Sequence, residues 1–261
     1  MRPPARSPQE LWVCHLGTVG YGEALAIQEH VRSLRLAEAL PDTLLMLEHP
    51  PVYTRGRRSG ARDLPFGEDF YRAKGIAVHS TDRGGQLTYH GPGQLVGYPI
   101  MRIDDVQRFL RTMEEAIIAA LAREDVQARS RRSEGINYTG VWVAARKIAS
   151  IGVHVAYGVS THGFAVNVEN DLEPFSWVIA CGLPDVSMTS LARERRASAC
   201  QPLLACFRKH MAHSFAQAHG LRQRLVSPRR LGIDTANASR RATKRAPINT
   251  TTSAPAETVP V

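Results

Sequence analysis

Two side chains of this sequence can carry covalent chemistry, Cys181 and Lys147. Cys181 sits in Ile-Ala-Cys-Gly-Leu-Pro, behind an apolar stretch and at the start of a Gly/Pro turn. A turn there leaves a thiol partly exposed near backbone donors. A thiol becomes a nucleophile when its pKa is lowered or a base stands beside it. Lys147 is the candidate partner: its ammonium stabilises a thiolate, and its neutral amine serves as a general base. Of 33 basic residues only Lys74, Lys147, Lys209 and Lys244 are lysine. Arginine cannot give up its proton, so a lysine kept beside Arg146 at the start of an apolar strand stands out. A spacing of 34 residues does not by itself pair Cys181 with Lys147. A structural thiol is the alternative reading of the cysteine.

The stretch from Arg83 to Pro99 is the densest in ligand-binding character. It holds five glycines, two tyrosines, one arginine and one histidine. Glycines let a ligand approach the main chain, and ordering them costs backbone entropy. Thr88, Tyr89 and His90 read as a short strand between two glycine turns. A pair of tight sheet turns would explain one such cluster, whereas two clusters flanking Tyr-His, with Arg83 in front, point to a ligand-lining loop.

These residues need a scaffold, and the hydrophobic pattern supplies one. Leu11 to Leu16 reads as a strand and Tyr21 to Leu40 as an amphipathic helix stopped by Pro41. Thr43 to Leu47, Ile76 to His79 and Leu95 to Met101 read as strands, and Arg55 to Phe70 as a loop. Asp104 to Ala122 is a helix with Phe109, Met113, Ile117 and Leu121 on its core face. Gly135 to Tyr138, Val141 to Ala144, Lys147 to Val155 and Thr161 to Val168 read as further strands, and Leu203 to Phe215 marks a third helix. Strands and helices alternate without a regular βαβ rhythm. The expected fold is therefore α/β in the α+β sense, a mixed sheet with helices.

Length and composition bound the rest. The chain has 261 residues, is 43% hydrophobic and carries a formal charge of +9. Residues 1–9 and 228–261 are expected to be disordered, the second an Ala/Thr/Pro-rich basic tail that cannot bury enough to order itself. A folded unit over 10–227 lies between them. The tail holds six basic and two acidic residues, which leaves +5 for the body and favours an acidic partner. No apolar run is long enough to span a bilayer and no secretory signal opens the chain, so a cytoplasmic location without membrane association is expected. Cys14, Cys200 and Cys206 are read as reduced, buried small hydrophobes. No zinc-type Cys/His spacing and no phosphate-binding P-loop occurs, so neither metal nor cofactor is expected.

Four blocks together resemble the lipoate-protein octanoyltransferases. Arg83-Gly84-Gly85-Gln86-Leu87-Thr88-Tyr89-His90-Gly91-Pro92-Gly93-Gln94 is similar to that family's signature. Lys147 to Gly152 is similar to its lysine block, Ser160 to Val168 to the next one, and Cys181-Gly182 to the block holding its nucleophile. Leu47 to Thr54 looks like an early block. The resemblance spans roughly residues 10 to 220 and implies a biotinyl/lipoyl protein ligase-like catalytic domain. It further implies transfer of an octanoyl group from octanoyl-acyl carrier protein to a lysine of a lipoyl domain. Acceptors of that kind are the E2 subunits of dehydrogenases and the glycine cleavage H protein. Cys181 would hold the acyl group as a thioester, and Lys147 would lower its pKa and move protons. Arg83, Gly84, Gly85, Gln86, Leu87, Thr88, Tyr89 and His90 would line the acyl and carrier-lysine sites. So would Ser150, Ile151, Gly152, Gly163, Phe164 and Ala165. One departure is Ala180, where the family often has proline.

The residues agree with this chemistry, because a cysteine thioester keeps an acyl group activated without ATP. His90, His49 and Tyr98 are candidates to shape the pocket, with core roles equally open. An ATP-dependent lipoate-protein ligase is the nearest alternative and would need no nucleophilic cysteine. A basic nucleic-acid-binding module is the distant one. It calls for aromatics interleaved with basic residues, and none stands out, so no nucleic-acid partner is expected.

Overall fold

The computed structural model describes residues 9–183, 186–195 and 201–234. Among the described residues, eleven strands form two sheets. The large sheet contains β1 (Glu10–Thr18), β2 (Thr43–Glu48), β6 (Gln94–Ile100), β7 (Arg129–Ser130), β8 (Gly140–Val143), β9 (Arg146–Ala156), β10 (Val159–Asn167) and β11 (Arg222–Val226). Its order is β11-β1-β2-β6-β10-β9-β8-β7. The β11, β1 and β2 strands run parallel, and the pairings from β2 onward are antiparallel. The small sheet, β4-β3-β5, joins β3 (Val52–Arg55), β4 (Ala77–Ser80) and β5 (Thr88–His90). The mixed sheet is as expected from the irregular alternation of elements.

Strand alternation divides the core. Leu11, Val13, Leu44, Met46 and Leu95 face one side of the large sheet, and Trp12, Cys14, Leu45, Leu47 and Val96 face the other. Both faces are apolar because both are covered. On the first side lie α3 (Val106–Ala122) and α5 (Leu203–Ala218), whose Met113, Ile117, Phe207 and Phe215 are fully buried. On the second lies α1 (Tyr21–Leu36), through Ala24 and Val31. A third core, built on Tyr53, Tyr71, Leu87, Tyr89 and Phe175, ties the small sheet to α2 (Gly67–Ala73) and to the segment before Cys181. A short helix, α4 (Leu191–Glu194), follows the Cys181 region.

Several sequence expectations need correction. The first helix stops at Leu36 rather than Leu40. Ala39 N–H donates to Leu34 O, Glu38 N–H donates to Arg35 O, and Glu38 takes φ 58°. This six-to-one closure turns the chain before Pro41 is reached. The stretch from Arg55 to Phe70 is not all loop, since α2 begins at Gly67. Tyr71 of that helix is fully buried and donates its hydroxyl to Trp177 O at 2.9 Å, a tertiary contact that short-range pattern does not display. Gly135 to Tyr138 forms a 3-10 turn rather than a strand, and Arg129–Ser130 pairs with β8 instead. The polar strand β11 carries no apolar alternation and is held by its ladder to β1.

Residues 228–234, placed in a disordered tail by composition, are folded: Leu231 is 1% exposed and Ile233 8%. His30 Nε2 approaches Leu231 O at 3.0 Å. The expected disorder over 1–8 and 235–261 falls outside the described residues. Cys14 is free and buried, and burial pushes its thiol up to about 12. Cys206 is disulfide-bonded, against the expectation of a reduced thiol. Cys200 lies outside the described residues.

Candidate active site

Cys181 is placed by a tight turn at Ala180–Gly182 and adopts φ 57°, ψ 14°. The left-handed region costs an L-residue about 1–2 kcal/mol, a strain maintained by what surrounds it. Cys181 N–H donates to Leu87 O at 2.9 Å, and two residues earlier Ile179 N–H donates to Asp63 O at 3.1 Å. The turn is therefore fixed against β5, in the middle of the Arg83–Pro99 stretch. Beside it, Gly182 takes φ 67°, a conformation that favours glycine, and a Cβ there would displace the end of the Gln86 side chain, whose Oε1 would lie 1.7 Å away.

Lys147 is 2% exposed. Its backbone is zipped to the segment following the turn, with Lys147 N–H donating to Ser187 O and Thr189 N–H to Lys147 O, each at 2.9 Å. Its Nζ lies 5.3 Å from the centre of the Trp142 ring. Gly140 makes space for the lysine stem, since a Cβ there would stand 2.9 Å from Lys147 Cε and 2.3 Å from Ala149 O. The buried Glu114 accepts Gly140 N–H at 2.9 Å and the Ser130 hydroxyl at 2.8 Å, which fixes the start of β8 against α3.

Ser150 Oγ stands 3.6 Å from Cys181 Sγ. Burial, the largest single influence on the thiol, pushes its pKa up. The Lys147 charge, hydrogen bonds from Ser150 and Lys147, and the Arg83 charge together outweigh burial and leave it below the ordinary thiol range. Arg83 is 7% exposed and has no carboxylate partner among the described residues. It donates to Thr54 O at 2.6 Å, to Thr54 Oγ1 at 2.8 Å and to Gly84 O at 3.0 Å. Its charge is thus available to an anion in the cavity.

These groups line one cavity of about 250 Å³. Of the residues expected from sequence, Arg83, Gly84, Gly85, Gln86, Thr88, His90, Lys147, Ser150, Ile151, Gly152, Gly163, Phe164, Ala165 and Cys181 all contribute to its wall. Leu87 and Tyr89 do not. Successive strand side chains point to opposite faces, so Gln86, Thr88 and His90 face the cavity while Leu87 and Tyr89 enter the third core. Leu87 contributes instead through its carbonyl, which holds the Cys181 turn. Tyr98, one of the uncommitted candidates, also lines the wall, whereas His49 stands behind it and bonds Tyr98 Oη at 2.7 Å.

The sequence reading missed Tyr21, Arg58, Val106, Asn137 and His162 as cavity residues. Val106 and Tyr21 begin helices, where periodicity assigns core faces and not cavity mouths. His162 lies inside the Ser160 to Val168 block, where nothing in the sequence separates it from its strand neighbours. It takes φ 56°, and its Nε2 meets Asp82 Oδ1 at 2.8 Å. Burial holds His49 down near 4 and His90 well below the usual imidazole range, so both rings are neutral. Two buried wall atoms, Thr88 Oγ1 and His162 Nδ1, have no partner among the described residues. Around an apolar patch of Val96, Ile151 and Phe164, the cavity thus combines a thiol held below its ordinary range, a buried lysine and unused polar groups. That set suits acyl transfer through sulfur. Among the described residues no cluster of His, Cys, Asp and Glu could hold a metal ion, and no helix is long and apolar enough to cross a membrane.

Comparison with known proteins gives this arrangement a context. Residues 20–216 match the lipoyl protein ligase A/B catalytic domain. An octanoyltransferase of Caldicellulosiruptor bescii is 46% identical over 185 residues, covering 69% of this chain and 80% of that protein. The mitochondrial octanoyltransferase LIP2 of Arabidopsis thaliana is 40% identical over 194 residues, covering 72% and 81%. In fold, the chain is similar to a bi-partite lipoate protein ligase of Thermoplasma acidophilum, with a TM-score of 0.65 at 17% identity over 91% of this chain and 93% of that one.

Proposed function

Because the chain belongs to the lipoyl protein ligase A/B catalytic-domain family, with octanoyltransferases among its relatives, we propose that it transfers an octanoyl group to a lipoyl-domain lysine through Cys181. The donor in this reading is octanoyl-acyl carrier protein. The acceptors are lipoyl-domain proteins, such as dehydrogenase E2 subunits and the glycine cleavage H protein. The observation that carries it is the environment of one sulfur. The Cys181 thiol is held below its ordinary range by Lys147, Ser150 and Arg83, at the wall of a cavity with an apolar patch.

The chemistry follows in two steps. The Cys181 thiolate attacks the thioester carbonyl of the donor, and a new carbon–sulfur bond forms. The carrier's sulfur leaves and takes a proton from the Lys147 ammonium. One thioester has replaced another, so the step is close to isoenergetic and needs no nucleotide. Lys147 is now a neutral amine. The acceptor lysine, as a free amine, attacks the Cys181 thioester and gives up one proton to Lys147. Cys181 leaves as thiolate, and the starting ammonium–thiolate pair is restored. Conversion of thioester to amide is downhill and draws the cycle forward. Ser150, within reach of the sulfur, supports the thiolate at both ends of the cycle.

The test is intact mass spectrometry after mixing the protein with octanoyl-acyl carrier protein and no nucleotide. The expected result is a mass gain of one octanoyl group on Cys181, discharged on adding a lipoyl domain. Full transfer by Cys181→Ala, or transfer only with ATP, would sink the proposal in favour of a ligase.

A further inference from the structure

The cavity opens to solvent between two segments that the acyl chemistry does not use. One is the loop after β3, Gly56 to Gly60, and the other is the turn at Ile136–Tyr138 together with Thr139. The loop lies flat on the Gly84–Gly85 main chain. A Cβ on Gly56 would fall 2.5 Å from Gly85 O and 2.7 Å from Arg83 Nη1. Arg57 N–H donates to Arg83 O and Arg58 N–H to Gly85 O, both at 3.0 Å. Two consecutive exposed arginines are thereby mounted on a fixed backbone at the edge of the opening.

Neither arginine has a carboxylate partner among the described residues, whereas Arg55 pairs with Glu68 at 2.9 Å and Arg131 with Glu134 at 2.5 Å. Arg58 extends across the opening to Asn137 Oδ1 at 3.0 Å, and both residues line the cavity. Beside them the lip is apolar and exposed: Ile136 is 70% and Val106 38% accessible. One edge of the mouth is thus cationic with an amide within reach, and the other is greasy.

We propose that this mouth is a subsite for a phosphorylated pantetheine arm, with Arg58 and Arg57 taking its phosphate. The inference rests on the thioester-donor reading above. Such an arm carries, from its outer end inward, a phosphate, a branched apolar group, amides and the thioester sulfur. Guanidinium groups hold phosphate oxygens through paired charge-assisted hydrogen bonds. Ile136 and Val106 cover the branched group, and Asn137 meets an amide. The arm is the part of the donor that must pass this opening to deliver its acyl group to Cys181. An anion site at the opening itself therefore does more than diffuse surface charge: it fixes how deep the thioester reaches.

The experiment measures the second-order rate of Cys181 octanoylation by intact mass with three small donors. These are octanoyl-pantetheine, octanoyl-phosphopantetheine and octanoyl-coenzyme A. The phosphorylated donor is expected to exceed the unphosphorylated one by about tenfold, equivalent to ~1.4 kcal/mol. Coenzyme A, with the same phosphate position, should match phosphopantetheine. In Arg58→Gln, and in the Arg57→Gln/Arg58→Gln pair, the ratio of phosphorylated to unphosphorylated rates should fall toward one. Arg58→Lys should restore part of it. A ratio measured within one variant is insensitive to how much of that protein is folded. Equal rates for pantetheine and phosphopantetheine in the unaltered protein would overturn the subsite while leaving octanoyl transfer intact. So would a phosphate preference that survives both arginine substitutions. Absence of Cys181 octanoylation by any donor, octanoyl-acyl carrier protein included, would overturn the thioester reading beneath it.

Discussion

Lys147 and Ser150 address the same sulfur although they lie three residues apart on one strand, where that spacing sends side chains to opposite faces. A bulge reconciles the two. Gly140 pairs with Ser150 and Val141 with Ala149, but Trp142 pairs with Lys147, so Ile148 is an extra residue in β9. One inserted residue resets the alternation and returns Lys147 to the face of Ser150. Ile148 enters the large core fully buried, which anchors the bulge.

This convergence on Cys181 sets a pH dependence. The ammonium and the hydroxyl favour thiolate, while burial favours thiol. Alkylation by iodoacetamide should therefore reach half its plateau rate below the ordinary thiol value of about 8.5. Lys147→Met removes the positive charge and leaves burial in place, so the midpoint should move to higher pH, by about one pH unit or more. Ser150→Ala should move it the same way by less. A midpoint unchanged in Lys147→Met would remove the lysine from any electrostatic role.

Lys147→Arg separates charge from proton transfer. The guanidinium still supports a thiolate, but it does not release a proton at ordinary pH. Alkylation at neutral pH should stay within a few-fold of the unaltered protein, while octanoyl transfer to a lipoyl domain falls by about a hundredfold or more. Transfer close to the original rate would exclude proton shuttling by Lys147.

Gly97 should govern how much acyl chain the cavity accepts. A Cβ there would sit 2.2 Å from Phe164 Cζ, so the ring stands directly on the glycine and the same ring lines the cavity. Gly97→Ala must displace the ring, an overpacking that costs about 1–3 kcal/mol. The expected outcome is a shift in preference from octanoyl toward shorter acyl donors, relieved by adding Phe164→Leu. If stability falls while the ratio of octanoyl to hexanoyl rates is unchanged, the ring has moved into the core and Gly97 does not shape the site.

The Arg83 to His90 stretch was legible as a ligand-lining loop because its composition is hard to explain otherwise, whereas Cys181 and Lys147 stood out as a pair only through the resemblance of their blocks to a known family. Within Arg83 to His90, Gly85 takes φ 91° and a Cβ on Gly84 would fall 3.3 Å from Val153 O, while the facing Gly152 leaves no space for a Cβ, which would stand 2.7 Å from Gly84 O. What the sequence hid depends on geometry that has no period. The Ile148 bulge, the left-handed turn at Cys181 and the crossing of Arg58 to Asn137 join residues whose neighbours carry no such signal. Strand alternation within Gln86–His90 was available from sequence and would have separated Leu87 and Tyr89 from the cavity side. A list by block includes them, whereas reading by face does not.

The C-terminal limit of the folded unit gives the last prediction. Composition placed it at 227, because Arg229, Arg230 and the run beyond them are polar. The structure carries the fold through Ile233. Leu231 and Ile233 pack in the core under α1, and the Arg224 and Arg230 guanidinium groups lie 5.8 and 5.3 Å from the centre of the Trp12 ring. Burying two such aliphatic side chains contributes about 1.5–3 kcal/mol each. A chain ending at Ser227 should therefore lose several kcal/mol, and its Tm should fall by about 10 °C. A chain ending at Asp234 should keep the Tm of the full protein. Both truncations leave the cavity walls in place, so octanoylation of Cys181 at low temperature should persist in each. Equal Tm values for the two truncations would show that residues 228–234 add nothing to the fold. Loss of octanoylation in the chain ending at Asp234, relative to the full protein and with its Tm unchanged, would give the remaining 27 residues a role in the reaction.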